Sequence, residues 1–190
     1  SDNPFSTERF QSCFRFEKEK ILEYGYPAND PMYAPDREEQ AAKIKEKLGI
    51  PKDKKVILYA PTWRDDQFYE AGQYGFELDL DVNRLQEEFG DEYVLLLRLH
   101  YFIVYGDFTV DGSSYDDITD LYLISDMLIT DYSSVFFDYA NLKRPVLYYT
   151  YDLDKYRDVL RGFYLDMEKD LPGPLLLTND EVVDAIKNID

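Results

Sequence analysis

Met127-Leu128-Ile129 runs directly into Thr130-Asp131-Tyr132-Ser133-Ser134 and then into Val135-Phe136-Phe137-Asp138-Tyr139. The first three residues are apolar at every position rather than at alternate ones. A run of that kind suits a strand buried on both faces of a parallel sheet. The hydroxyl residues after it are helix-capping types, so Ser133 or Ser134 is expected to start a helix reaching about Leu142. A buried strand feeding a helix through a short polar turn is half of a βαβ unit.

Three other runs have the same character: Val56 to Tyr59, Val94 to Leu97, and Val146 to Tyr149. Amphipathic stretches lie among these runs and beyond them. From Asp36 to Leu48, Ala41, Ile44 and Leu48 share a face, with Glu38 and Glu39 early and Lys43, Lys45 and Lys47 late, as a helix dipole prefers. Gly49 and Pro51 then stop that helix. A second stretch, from about Asp81 to Phe89, aligns Val82, Leu85 and Phe89 and ends at Gly90. A third opens with Thr178-Asn179-Asp180-Glu181, a capping-box pattern, and is expected to bury Val182, Ile186 and Ile189. Strand and helix alternate, so the class is α/β: a Rossmann-like parallel sheet with helices on both faces. A length of 190 residues suffices for one such domain.

Bulk composition removes several function classes. The net charge is −18, from 21 Lys and Arg against 39 Asp and Glu. A surface that acidic repels a phosphate backbone and disfavours nucleic-acid binding. It equally disfavours direct contact of this segment with an anionic membrane. A small anionic ligand stays within reach if cations and backbone N–H groups converge at one place. Cys13 is the single cysteine and His100 the single histidine, so no intramolecular disulfide, thiolate cluster or multi-histidine metal site is expected. No stretch has the length of a membrane span or the parts of a signal peptide, and the domain reads as soluble and cytoplasmic.

In sheets of this class, ligands bind beyond the carboxyl ends of the strands. The residues following each run are therefore the candidates. Thr62, Trp63 and Arg64 follow the first run; Arg98 and His100 follow the second; Thr130, Asp131, Ser133 and Ser134 follow the third. Arg64 carries a planar fork suited to phosphate, and Trp63 offers a flat face, although a lone tryptophan also serves as core. Consecutive hydroxyls and N–H groups at Ser133 and Ser134 can hold an anion, or can simply cap a helix. His100 can donate to a phosphate oxygen or fill a structural role. Asp138, four residues after Ser134, shares its helix face and can accept from a ligand hydroxyl or fix a neighbour. No P-loop, Gly-rich dinucleotide fingerprint, Gly-x-Ser-x-Gly elbow or metal-ligand cluster is present.

Taken in order, Gly25-Tyr26-Pro27-Ala28-Asn29-Asp30, Tyr59-Ala60-Pro61-Thr62-Trp63-Arg64, Arg98-Leu99-His100-Tyr101 and Ile129-Thr130-Asp131-Tyr132-Ser133-Ser134 with Phe137-Asp138 resemble the CDP-glycerol glycerophosphotransferase family, the teichoic acid polymerases and primases. The likeness runs from about Phe14 to Asp190 and includes Tyr115-Asp116-Asp117-Ile118 to Ser125-Asp126. One position departs: the family usually has arginine where Ala28 stands.

The resemblance implies that residues 21–190 are the nucleotide-donor-binding, C-terminal half of a GT-B fold, with residues 1–20 leading into it. It implies transfer of glycerol phosphate from CDP-glycerol to a teichoic acid-like polymer with release of CMP. A histidine in the other half would act as general base, so this chain alone is expected to fold without turning over donor. His100 would stabilise charge at the donor phosphates. Ser133 and Ser134 would hold the diphosphate, Arg64 or Arg98 would lend positive charge, and Asp138 would face ribose or glycerol. Thr62, Trp63, Thr130 and Asp131 complete the implied donor-binding set. The partners implied are a nucleotide-activated small molecule and, through the other half, a lipid-linked polymer acceptor, with no nucleic acid. No cofactor is implied; Mg²⁺ on the donor is compatible with it. The full enzyme would be peripheral on the inner face of the cell membrane.

Two other readings stand beside this one. A GT-B sugar-nucleotide transferase or epimerase half-domain would prefer UDP or GDP. A non-catalytic α/β interaction or regulatory module would have no reason to gather Arg64, His100 and Ser133 at one edge.

Overall fold

The computed structural model describes residues 1–62, 64, 78–99 and 108–189. Among them, six strands form one sheet: β1 (Lys55–Tyr59), β2 (Tyr93–Leu97), β3 (Thr109–Asp111), β4 (Met127–Thr130), β5 (Val146–Tyr149) and β6 (Leu175–Leu176). Their order is β3-β2-β1-β4-β5-β6, and every neighbouring pair is parallel. This is the doubly wound arrangement expected from the continuous apolar runs.

The register explains why those runs are apolar throughout. Ile57 lies beside Leu95 on one side and Met127 on the other, and Leu58 lies beside Leu96 and Leu128. Successive residues point to opposite faces, and both faces are covered. One core holds Ile57, Tyr59, Leu95, Leu97, Met127 and Ile129; the other holds Val56, Leu58, Val94, Leu96, Leu128 and Tyr148. Each fully buried aliphatic side chain contributes about 1.5–3 kcal/mol.

Around the sheet lie helices α1 (Pro4–Phe14), α2 (Arg37–Lys47), α3 (Val82–Phe89), α4 (Ile118–Ile124), α5 (Val135–Tyr139), α6 (Leu153–Lys155), α7 (Met167–Asp170) and α8 (Asn179–Lys187), with short 3₁₀ segments at Lys18–Lys20, Pro27–Tyr33 and Ala140–Leu142. Val82, Leu85 and Phe89 of α3 and Val182, Val183 and Ile186 of α8 pack on the first core. Ile44 of α2, Leu121 and Tyr122 of α4, and Phe136 and Tyr139 of α5 pack on the second. The expected ends are realised by local hydrogen bonds. Asp81 caps α3 by accepting from the Arg84 N–H, Thr178 and Glu181 form a reciprocal capping box on α8, and Gly49 follows α2 at φ +70°. Past α6 the chain runs on as a wider π turn to Leu160.

Helix α1 occupies what reads from sequence as a bare lead-in. Asn3 caps it by accepting from the Ser6 N–H, Pro4 sits at its first turn, and Thr7 is its buried residue. Without an apolar stripe it has no periodic signal. Among the described residues no helix is long and apolar enough to cross a membrane.

Candidate functional site

The strand order reverses between β1 and β4, so the loops leaving these two strands diverge and open a crevice at their carboxyl ends. A hollow of about 320 Å³ lies there, lined by Ala60 and Pro61 after β1, Arg98 and Leu99 after β2, Ser113 and Ile118 before and in α4, and Ser133 and Val135 after β4. Two larger hollows have a different chemistry or place. One of about 410 Å³, bounded by Pro51, Lys54, Gly90 and Asp91, sits at the opposite end of the sheet, before β1 and β2. Another, of about 520 Å³, lies between Leu153, Arg157 and the 163–168 segment. The smaller hollow is the one built at the switch point from several strand ends.

Arg98 reaches it from β2. Its Nη1 donates to the carbonyls of Gly112, Ser113 and Tyr115 at 2.7, 2.6 and 2.8 Å, while Ser113 Oγ accepts from the Leu99 N–H at 3.1 Å. These bonds fix one terminal nitrogen of the guanidinium, and the side chain is half-exposed and lines the hollow. Gly112 lets the turn that carries these carbonyls lie close on β2 and α4. A Cβ there would lie 3.1 Å from both Leu96 and Leu121 side chains and 3.3 Å from the Leu97 carbonyl oxygen.

The β4 exit is stitched to the β1 exit by buried side chains. Thr130 Oγ1 donates to the Ala60 carbonyl at 2.7 Å, and Asp131 Oδ1 accepts from the N–H groups of Thr62 at 2.8 Å and Tyr132 at 2.6 Å. Thr130 and Asp131 are 0% and 1% exposed, so both lie beneath the rim. Ser133 is half-buried and Ser134 exposed, and the only bond from either hydroxyl among the described residues is a long 3.5 Å one, Ser133 Oγ accepting from the Val135 N–H. The backbone N–H groups of Ser133 and Ser134 have no acceptor among the described residues. Two hydroxyls and two N–H groups thus stand together at the turn. Asp138, one turn on, accepts from Asn29 Nδ2 at 3.0 Å, and the Ala28 carbonyl accepts from Thr119 Oγ1 at 3.1 Å. The Pro27–Tyr33 turn that carries Ala28 is thereby held against α4 and α5.

Arg64 is 3% exposed, and its guanidinium is taken up by groups of the protein. Its Nε and Nη2 donate to Asp152 at 2.8 and 3.0 Å, and its Nη1 donates to the Thr62 carbonyl at 2.7 Å. Nη2 also lies 2.8 Å from Asp131 Oδ2, off the hydrogen-bond line, so that contact is charge to charge. The rings of Tyr132, Tyr151 and Tyr156 surround the guanidinium with centroids 5.1, 5.5 and 5.3 Å away. Burial works against the charge, but the bond to Asp152 and the charge of Asp131 outweigh it, and the guanidinium is held above its ordinary pKa. Tyr132 donates its hydroxyl to Asp152 at 2.9 Å; burial first, and Asp152 next, push that phenol well above its usual value.

Arg98 and Ser133 therefore meet at the hollow, with Ser134 on the same turn. Thr62, Arg64, Thr130 and Asp131 form the layer beneath, and Asp138 faces the Pro27–Tyr33 turn. His100 and Trp63 lie outside the described residues. Asp152 and Tyr132 were not singled out by sequence reasoning. The rule applied to the other strand ends, extended to the residues after Tyr149, leads to Asp152. Arg144, another cation, spends its Nη1 on the carbonyls of Tyr122, Leu123 and Ser125 at the end of α4.

The model of the family described as CDP-Glycerol:Poly(glycerophosphate) glycerophosphotransferase matches residues 1–190. A teichoic acid poly(glycerol phosphate) polymerase of Bacillus subtilis (strain 168) is 54% identical over all of this chain, which covers 26% of that protein. A teichoic acid glycerol-phosphate transferase of Staphylococcus aureus is 52% identical, again over the whole chain and 50% of that protein. The solved wall teichoic acid polymerase TagF superposes with a TM-score of 0.93 at 48% identity, covering 100% of this chain and 48% of TagF. A variant of that polymerase soaked with CDPG superposes at 0.90 with 47% identity, over 100% of this chain and 48% of the variant. The chain spans between about a quarter and a half of the length of these relatives.

Proposed function

The chain belongs to the CDP-glycerol:poly(glycerophosphate) glycerophosphotransferase family, and from that premise we propose that it binds the CDP-glycerol donor for transfer of glycerol phosphate to a teichoic acid-like polymer. The observation that carries the proposal is the meeting of Arg98 and Ser133, from two separate strand ends, at the hollow where the strand order reverses. The N–H groups and hydroxyls of Ser133 and Ser134 take the diphosphate, and Arg98 offsets its charge. Asp138 holds Asn29 and so steadies the Pro27–Tyr33 turn beside the site, and His100 adds a donor to the phosphates. Thr62, Thr130, Asp131 and Arg64 serve from beneath.

On this reading the other half of the enzyme presents the acceptor. A terminal hydroxyl of a lipid-linked polymer loses its proton to a base there. Its oxygen then bonds to the β-phosphorus of CDP-glycerol as the bond to CMP breaks. The chain's own contribution is to orient the diphosphate and stabilise the charge that grows on the departing CMP. No cofactor is given a part. The full enzyme works at the inner face of the cell membrane, where a nucleotide donor and a lipid-linked acceptor meet.

Calorimetric titration with CDP-glycerol, CDP, CMP, UDP and GDP tests the reading. Cytidine nucleotides are expected to bind best, and Arg98→Ala is expected to weaken CDP by about tenfold or more, the scale of a lost charged hydrogen bond. A preference for UDP or GDP would assign the site to sugar-nucleotide chemistry.

A further inference from the structure

We infer that Asp152 and Arg64 are positioning residues for the donor diphosphate, acting through Asp131 and Tyr132 without touching the ligand. The inference rests on the donor-site reading above; it gives a part to Asp152, which that reading leaves out, and says how Arg64 serves from beneath. Asp152 follows β5, which lies outside the β1–β4 crevice, with β4 between. Yet its carboxylate receives Arg64 from the β1 exit and the Tyr132 hydroxyl from the β4 exit. One buried cation thus ties three strand ends together.

The geometry shows what is being fixed. The Thr62 peptide is held from both sides: its N–H donates to Asp131 and its carbonyl accepts from Arg64. Tyr132 is held at three points. Its N–H donates to Asp131, its hydroxyl donates to Asp152, and its ring stacks on Tyr156 with centroids 4.0 Å apart. Tyr132 immediately precedes Ser133, so the direction in which the next N–H groups point follows from its placement. A buried ion pair is weak evidence of stability, since well-packed apolar side chains of like volume hold loops together as well or better. Apolar packing cannot, however, supply the fixed acceptors that set the Thr62 and Tyr132 peptides. The polar cluster is therefore read as a device for geometry, holding the turn before ligand arrives.

Tyr132→Phe and Asp152→Asn test this mildly, the first by removing one hydroxyl. Two readouts are taken: amide hydrogen exchange, and the ratio of CDP to CMP affinity by calorimetry. The expected result is exchange about tenfold faster at residues 62 and 132 with Leu96 and Leu128 unchanged, and a CDP-to-CMP ratio lowered about tenfold while CMP binding holds. Equal weakening of CDP and CMP, unchanged exchange at residues 62 and 132, or faster exchange throughout the core would overturn the inference, the last by making the cluster merely structural. A wild-type chain that binds CDP no better than CMP would instead remove the diphosphate reading. Exchange at residues 62 and 132 would then still decide whether Asp152 sets the turn.

Discussion

Arg64→Met is expected to destabilise the fold by about 3–5 kcal/mol, because it leaves two carboxylates facing one another with no cation between them. Asp131 and Asp152 have side chains 2% and 13% exposed, and both lie within 3.0 Å of the guanidinium. Removing one member of such a cluster costs far more than the cluster contributes relative to an apolar filling, since the remaining charges stay desolvated. For a chain of this length the loss corresponds to a fall in melting temperature of roughly 10 °C. Arg64→Met combined with Asp152→Asn should recover part of it, because the second change removes one of the stranded charges. Urea unfolding of the single and double variants measures both effects. A loss under about 1 kcal/mol for Arg64→Met would mean that the carboxylates are far better solvated than their burial implies.

The second large effect is alkaline. The chain carries 18 tyrosines, and several are buried. Burial pushes the phenols of Tyr148 and Tyr149 up to about 12, with Asp79 adding to the shift at Tyr149. Burial likewise raises Tyr59, Tyr122, Tyr132, Tyr139 and Tyr151. The unfolded chain releases these protons near pH 10, whereas the folded chain keeps them to higher pH. Stability is therefore intact below pH 10 and falls above it, by about 1.4 kcal/mol per pH unit for each such tyrosine. Even two residues shifted to about 12 give a loss of about 5 kcal/mol across that window, comparable with the whole stability of a marginal domain. Phenolate absorbance and circular dichroism followed together should show an exposed set of tyrosines titrating near pH 10, with the remainder appearing only as the fold is lost. Titration of all of them near pH 10 with the fold intact would refute the burial argument.

The sheet was legible because each of its four central strands carries an unbroken apolar run, Val56–Tyr59, Val94–Leu97, Met127–Ile129 and Val146–Tyr149, which burial on both faces explains. The two edge strands were not. Thr109-Val110-Asp111 is half-exposed and polar at both ends, and Leu175-Leu176 is too short to carry a period. Helix ends were legible where the signal is local, as in the Thr178–Glu181 capping box, which needs only four consecutive residues. The site was legible to the level of strand ends. Arg98 and Ser133, candidates because each follows a buried strand, line the hollow at the switch point.

Direction was the part that could not be read. Arg64 and Ser133 both follow strands, yet one turns inward and the other faces the hollow. What turns Arg64 inward is Asp152, 88 residues away. A pairing across that separation leaves no mark on local pattern, and a guanidinium suits a phosphate and a buried carboxylate equally well. Thr130 and Asp131 pose the same problem. Their hydroxyl and carboxylate suit a ligand, but the loops leaving β1 and β4 need acceptors and donors of their own, and the backbone takes them first.

The central claim is that a nucleoside diphosphate binds where the strand order reverses, and a crystal structure of this chain with CDP tests it most directly. The account predicts the diphosphate between Pro61, Arg98 and Ser133, with its oxygens within hydrogen-bond distance of the Ser133 and Ser134 N–H groups and Arg64 still clasped by Asp131 and Asp152. CDP seated instead beside Leu153 and Arg157, or beside Lys54 and Gly90, would contradict it.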